Sequence, residues 1–119
     1  RISNSKFLDQ IFSKHKNIIL PKRDKNIKEV FHLYHLSFKT KKIRNYILNE
    51  LIKRKIDAKI HYPTSMHLQP AAKKYKYKKG DFPIAERLSQ TSISLPVHEF
   101  VSKKELLNIS NIILKKLNK

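Results

Sequence analysis

Hydrophobic positions near the two ends of the chain repeat at helical spacing and predict a helix at each end. Apolar residues one turn apart predict a first helix from Ile2 to roughly Lys16. Ser102 and Glu105 have the spacing of a capping box. An apolar stripe behind this box predicts the terminal helix: Leu106, Ile109, Ile113 and Leu117.

Between these helices the pattern changes to short extended runs. The segment VFHLYHLSF, residues 30–38, predicts a strand covered on both sides, and Thr40 can cap a helix that ends near Lys55. Residues 56–60 and 92–96 predict two more short strands, separated by a helix over residues 82–90. The expected fold is α+β, a small sheet of short strands with helices packed mainly on one face.

Composition limits the class of protein. A chain of 119 residues is one ordinary domain, and the absence of cysteine fits a reducing compartment. No apolar run approaches the roughly 20 residues that span a bilayer. We therefore expect a soluble, cytoplasmic protein with no membrane partner.

The net charge of +18 suggests a nucleic-acid partner, but its distribution argues against one. Only five of the 27 basic residues are arginine, the residue that direct base readout favours, and the lysines are scattered over every segment. A solvated lysine-rich surface is the favoured interpretation, and specific nucleic-acid binding is not expected. The alternative is a basic nucleic-acid-binding module that uses the tract KKYKYKK, residues 73–79, for stacking and phosphate contacts.

His61 and His67 stand out because they flank a proline-punctuated loop just beyond a predicted strand. A metal site would need further ligands, and few acidic residues are near in the sequence, so no metal is expected. The single glycine excludes a glycine-rich phosphate cradle, and no serine or cysteine nucleophile motif is present. What remains for the histidines is hydrogen-bond donation to an anion such as phosphate.

Two longer strings carry a family resemblance: IHYPTSMHLQPA at residues 60–71 and YKYKKGDFPIAERLSQTSISLP at residues 75–96. Together with the capped terminal helix they resemble the C-terminal part of the DegT/StrS family of sugar aminotransferases. The resemblance implies the small C-terminal domain of a fold-type I aminotransferase. Enzymes of this family use pyridoxal phosphate to make amino sugars on nucleotide carriers.

The sequence departs from the family pattern at four positions. Lys55 and Lys76 stand where the family usually has glycine. Ser65 stands where it often has proline, and Ala72 where it often has an aromatic residue. These changes leave the fold assignment intact and bear on the substrate.

By resemblance, residues 1–119 are the C-terminal small domain of a longer chain, and residues 1–16 are the end of the long helix that connects it to a larger domain. The family's cofactor lysine and its aspartate belong to that larger domain, and none of the 22 lysines here matches the cofactor motif. We therefore expect pyridoxal phosphate in the full-length parent only, and a fragment that is inactive alone.

The resemblance also implies roles for individual residues. Substrate contacts are expected from His61, Tyr62, His67 and Gln69, with His67 closest to the sugar nucleotide or its phosphates. His61 and Tyr62 have an alternative role, which is to orient the loop by packing. Five residues are expected in the core: Phe82, Ile84, Leu88, Ile93 and Leu95. The parent would be a homodimer that binds a nucleotide-linked keto sugar and an amino donor.

Overall fold

The computed structural model describes residues 1–118, so that Lys119, the last residue of the expected domain, lies outside the described part. Three antiparallel strands form one sheet in the order β1-β2-β3, where β1 is Ile18–Ile19, β2 is Tyr34–Phe38 and β3 is Ser92–Leu95. The helices are α1 (Ile2–Phe12), α2 (Lys41–Lys53), α3 (Pro83–Thr91) and α4 (Lys103–Leu117). This architecture confirms the α+β prediction.

The central strand β2 holds the core together. Tyr34 and Leu36 are fully buried, and every residue of the strand except the half-buried His35 is buried, which confirms a strand covered on both sides. The helices add further large buried side chains: Leu8 and Phe12 from α1, Ile47 and Leu51 from α2, and Leu106 and Ile113 from α4. Removal of this apolar surface from water is the main stabilising contribution to the fold.

The predicted strand over residues 30–38 begins four residues later than expected. Phe31 has a φ of +53°, a left-handed conformation that interrupts an extended chain, and Val30 is exposed. Similarly, α1 ends at Phe12 rather than near Lys16, because the chain turns at Ser13. Both β2 and α1 are therefore shorter than their apolar patterns suggest.

No strand forms over residues 56–60, where one was expected. Lys55 has a φ of +59°, and the N–H of Ala58 donates to Ile56 O in a tight turn. A single bridge remains, in which Lys59 and Ser94 exchange backbone hydrogen bonds of 3.1 and 2.9 Å. The segment still crosses to the edge of β3 and delivers the chain to the loop that contains the two histidines.

Three of the five residues expected in the core are exposed: Phe82, Ile84 and Leu88. Ile93 and Leu95 are buried in β3, as expected. Helix α3 instead buries Glu86 and Thr91, which find hydrogen-bond partners there. Polar groups can be buried at low cost when they are hydrogen-bonded. The side of α3 that faces the core is therefore not the one that its apolar residues suggest.

Local signals at helix starts are confirmed. Thr40 Oγ1 accepts from the N–H of Ile43 at the start of α2. Ser102 and Glu105 form the complete capping box of α4, with the Glu105 carboxylate 2.7 Å from the Ser102 N–H. The chain's single glycine, Gly80, has a φ of +98°, a conformation that glycine adopts readily.

Candidate functional site

The structure separates the two histidines of the loop. His61 and Tyr62 line a cleft beside the sheet, whereas His67 lines a different groove, formed by the loop and α3. Residues 63–65 lead from the cleft to the groove, and two short 3₁₀ helices, Met66–Leu68 and Pro70–Tyr75, follow along the groove. The expected substrate-binding set is therefore distributed over two surfaces.

The first surface, which we call the histidine cleft, has a volume of about 420 Å³. Its lining residues come from the start of β2, the loop and β3: His32, Leu33, His35, His61, Tyr62, Ser92, Ile93 and Ser94. The sheet register places His35 directly opposite Ser94. Burial lowers the pKa of His35, and the nearby charges of Arg23 and His61 lower it further, so the uncharged form of His35 is favoured.

Tyr62 occupies an unusual backbone conformation at the mouth of this cleft. Its φ is +57°, in the left-handed region that bulky residues seldom adopt, and 65% of the residue is exposed. Such conformations cost of order 1–3 kcal/mol and cluster at ligand sites. Both His61 and Tyr62 are exposed, so neither is packed in the core of the described residues.

The second surface, the aromatic groove, also has a volume of about 420 Å³ and is lined by Met66, His67, Ala72, Tyr75, Tyr77, Phe82 and Ala85. The ring centroids of His67 and Phe82 are 4.8 Å apart, and Tyr77 meets Phe82 edge to face at 5.1 Å. Aromatic pairs prefer such tilted and edge-to-face arrangements. His67 is the one lining residue of this groove that carries a titratable imidazole.

Glu86 holds the imidazole of His67 through a hydrogen bond. Its Oε1 lies 3.0 Å from Nε2 of His67 and accepts a second hydrogen bond, of 2.7 Å, from the N–H of Gly80. The Gly80 N–H, and then the hydrogen bond from His67, hold the pKa of Glu86 below its usual value against the opposing effect of burial. The histidine side chain is only 7% exposed, so His67 is far less accessible than His61.

Gln69 braces the loop between the two surfaces. Its Nε2 donates to Thr64 O at 3.3 Å and lies 3.6 Å from Met66 Sδ. Ser65 adds a second brace, since its hydroxyl donates to Ser89 Oγ of α3 at 3.1 Å. These contacts hold the loop between His61 and His67 in one conformation.

Residue-type reasoning missed His35, Ser94 and Glu86 as members of these sites. His35 and Ser94 come together only through the register of β2 and β3, which sequence spacing does not reveal. Glu86 had a signal, because it lies within the string at residues 75–96 that carries the family resemblance. Its connection to His67, 19 positions away, needed the fold.

Within residues 1–118, no group of three histidine, aspartate or glutamate side chains is arranged to hold a metal ion. Over the same residues, no helix combines the length and the apolar character needed to cross a membrane.

Comparison with known proteins identifies the family. The family model for the DegT/DnrJ/EryC1/StrS aminotransferases matches residues 1–114, and the chain belongs to this family. The uncharacterized protein MJ1066 of Methanocaldococcus jannaschii is 30% identical over 115 residues, which cover 93% of this chain and 30% of that protein. EryC1 of Saccharopolyspora erythraea, an erythromycin biosynthesis sensory transduction protein, is 31% identical over 87 residues, 73% of this chain and 23% of that protein.

Solved structures establish the same fold. DesV of S. venezuelae, crystallised with a ketimine intermediate, has a TM-score of 0.89 at 22% identity, over 99% of this chain and 31% of that one. The PMP form of the sugar aminotransferase Spr1654 of Streptococcus pneumoniae has a TM-score of 0.84 at 23% identity, over 98% and 30%. The chain thus spans about 30% of the length of these proteins.

The lysines within residues 1–118 do not fit the role of the lysine that binds pyridoxal phosphate. A lysine that forms a Schiff base must lose its proton readily, and burial away from negative charge achieves this. Within residues 1–118, every lysine except Lys116 is exposed. Hydrogen bonding to Glu50 raises the pKa of Lys116, which opposes deprotonation.

Proposed function

We propose that the chain is the substrate-side C-terminal domain of a pyridoxal-phosphate-dependent aminotransferase that acts on a nucleotide-linked keto sugar with an amino donor. The match of the DegT/DnrJ/EryC1/StrS family model to residues 1–114 carries this proposal. The cofactor belongs to the rest of the enzyme, which would be a cytoplasmic homodimer. The absence of cysteine agrees with that compartment.

In this proposal the domain binds and orients the substrate, and His61, Tyr62, His67 and Gln69 form its binding surface. His61 and Tyr62 offer exposed donors at the mouth of the histidine cleft. His67 offers an imidazole edge inside the aromatic groove. Gln69 contributes through the conformation of the loop, because its amide bonds to Thr64 and Met66.

The test is a set of alanine variants in the complete enzyme. Loss of a hydrogen bond from His61 to a charged phosphate corresponds to roughly 1.5–3 kcal/mol, so His61→Ala should raise KM for the nucleotide sugar by about 10- to 150-fold. His67→Ala would leave a buried hydroxyl of the ligand without its acceptor, which corresponds to roughly 1–3 kcal/mol and a rise in KM of about 5- to 150-fold. The absorption spectrum of the cofactor should not change. His61→Ala should keep the melting temperature because His61 is exposed, whereas His67→Ala should lower it because the imidazole is bonded to Glu86.

His98→Ala is the matched control, since His98 is exposed and lies outside both surfaces. It should leave KM and the melting temperature unchanged. If His61→Ala and His67→Ala bind the nucleotide sugar as tightly as His98→Ala, the domain does not contact the substrate through this loop. Absence of transamination of nucleotide sugars by the complete wild-type enzyme would reject the assigned reaction.

A further inference from the structure

Glu86 joins two segments that the sequence keeps apart. One oxygen of its carboxylate accepts from Nε2 of His67 at 3.0 Å and from the N–H of Gly80 at 2.7 Å. The Glu86 side chain is 11% exposed and the His67 side chain 7%. Bonds to a carboxylate that is removed from water are stronger than the same bonds at the surface.

This geometry decides which nitrogen of His67 carries a proton. An ionised carboxylate can only accept hydrogen bonds, and the lowered pKa of Glu86 favours the ionised form. Nε2 must therefore be protonated. The hydrogen bonds within residues 1–118 leave Nδ1 without a protein partner, and the imidazole lines the aromatic groove.

A second contact restricts the plane of the ring. The Phe82 ring lies 4.8 Å from the imidazole, centroid to centroid, at an interplanar angle of 58°. A 180° flip of the ring about χ2 would place Cε1 rather than Nε2 against the Glu86 carboxylate and break this bond. His67 is thus held in one orientation by two residues from the start of α3 and the turn before it.

We propose that Glu86 is a positioning residue: it holds His67 so that Nδ1, which carries no proton, accepts a hydrogen bond from a hydroxyl of the bound sugar nucleotide in the aromatic groove. This inference rests on the proposed function, which supplies the ligand. It assigns a role to Glu86, and it gives the Gly80 turn a part in the same arrangement, because the Gly80 N–H donates to the carboxylate.

Kinetics of four variants in the complete enzyme test the proposal. Glu86→Ala and His67→Ala should each raise KM for the nucleotide sugar about 10-fold or more, with kcat nearly unchanged. Since Glu86 acts through His67, the double variant should have the KM of His67→Ala within about twofold. Glu86→Gln keeps an accepting oxygen of the same reach and should have a KM between those of the wild type and Glu86→Ala.

Ser102→Ala is the control for stability. The Ser102 hydroxyl accepts from the N–H of Glu105 at the start of α4, and Ser102 lines neither surface. The substitution should lower the melting temperature and leave KM within about twofold of the wild type. Equal KM increases in Ser102→Ala and Glu86→Ala, or multiplied increases in the double variant, would overturn the positioning role.

The tautomer of His67 gives a readout without substrate. Imidazole ¹⁵N NMR of the 119-residue chain, assigned by comparison with His67→Ala, should show His67 protonated at Nε2 in the wild type and in Ser102→Ala. In Glu86→Ala, the His67 signals should no longer show protonation at Nε2 alone. An unchanged His67 signal in Glu86→Ala would reject the positioning role even if the enzyme transaminates nucleotide sugars, and an inactive enzyme with the expected NMR result would reject the assigned reaction alone.

Discussion

At the end of α2 a lysine occupies a position that usually requires glycine, and a substitution can test what this costs in stability. The N–H of Lys55 donates to Ile52 O at 2.8 Å, and the N–H of Ile56 donates to Leu51 O at 3.1 Å. This pair of bonds is a Schellman motif, in which the residue just beyond the helix cap adopts a left-handed conformation and is usually glycine. Lys55 occupies that position with a φ of +59°. We therefore predict that Lys55→Gly stabilises the protein.

The size of the effect follows from two opposing contributions. A left-handed conformation costs an L-residue with a Cβ roughly 1–2 kcal/mol. Glycine loses more backbone entropy on folding, and this opposing contribution destabilises the variant by about 0.5–1 kcal/mol. The net stabilisation is about 0.5–1 kcal/mol, or a rise of about 2–4 °C in melting temperature for a chain of this length.

Thermal and urea unfolding of three variants test whether the left-handed conformation at residue 55 causes the gain in stability. Lys55→Ala removes the same charge but keeps the Cβ, so it should gain no stability. Lys53→Gly places glycine inside the last turn of α2 and should lose about 1 kcal/mol. If Lys55→Gly is no more stable than Lys55→Ala, the left-handed conformation carries no strain and the reasoning is refuted.

Two further predictions concern charge. Hydrogen bonds from Lys116, the larger effect, and from Arg54 lower the pKa of Glu50 from 4.5 to about 2. In urea titrations the wild type should therefore be more stable than Glu50→Gln above pH 4.5, and this difference in stability should disappear as the pH falls toward 2. In the nucleic-acid alternative, Tyr75→Ala with Tyr77→Ala would weaken single-stranded DNA binding by about 1–3 kcal/mol per base contact. We expect instead weak binding that salt abolishes and that neither substitution changes by more than twofold in filter-binding assays.

The parts of the fold that sequence predicted best are those set by local chemistry. The Thr40 cap, the capping box at Ser102 and the apolar stripe of α4 each depend on residues within one or two helical turns. The buried central strand was also predictable, because alternating apolar and aromatic residues mark both of its faces. Such signals are contained in the segment that they describe.

Backbone conformation at non-glycine positions was not predictable in the same way. Phe31, Lys55, Tyr62 and Lys76 all have φ between +53° and +59°. Nothing in these residue types indicates a left-handed conformation, and two of them shortened or removed a predicted strand. Lys55 and Lys76 had an indirect signal, since both stand where the family pattern has glycine.

The candidate site shows a further limit of sequence spacing. His61 and His67 are six residues apart, which places them at most about 20 Å from each other along an extended chain. Their partners come from elsewhere: His35 and Ser94 through the sheet, and Glu86 through α3. Only the fold shows that the two histidines belong to two surfaces.

This arrangement bears on the shape of the proposed ligand. The histidine cleft and the aromatic groove are joined by a loop that Gln69 and Ser65 hold in place, so their separation is set by the protein. A free monosaccharide is small enough to occupy one of the two surfaces, whereas a sugar joined through a diphosphate to a nucleoside is elongated. Under the proposed function, the two surfaces would hold different parts of one such ligand. In that case His61→Ala and His67→Ala would each weaken binding independently, and their effects on KM would multiply, unlike those of His67→Ala and Glu86→Ala.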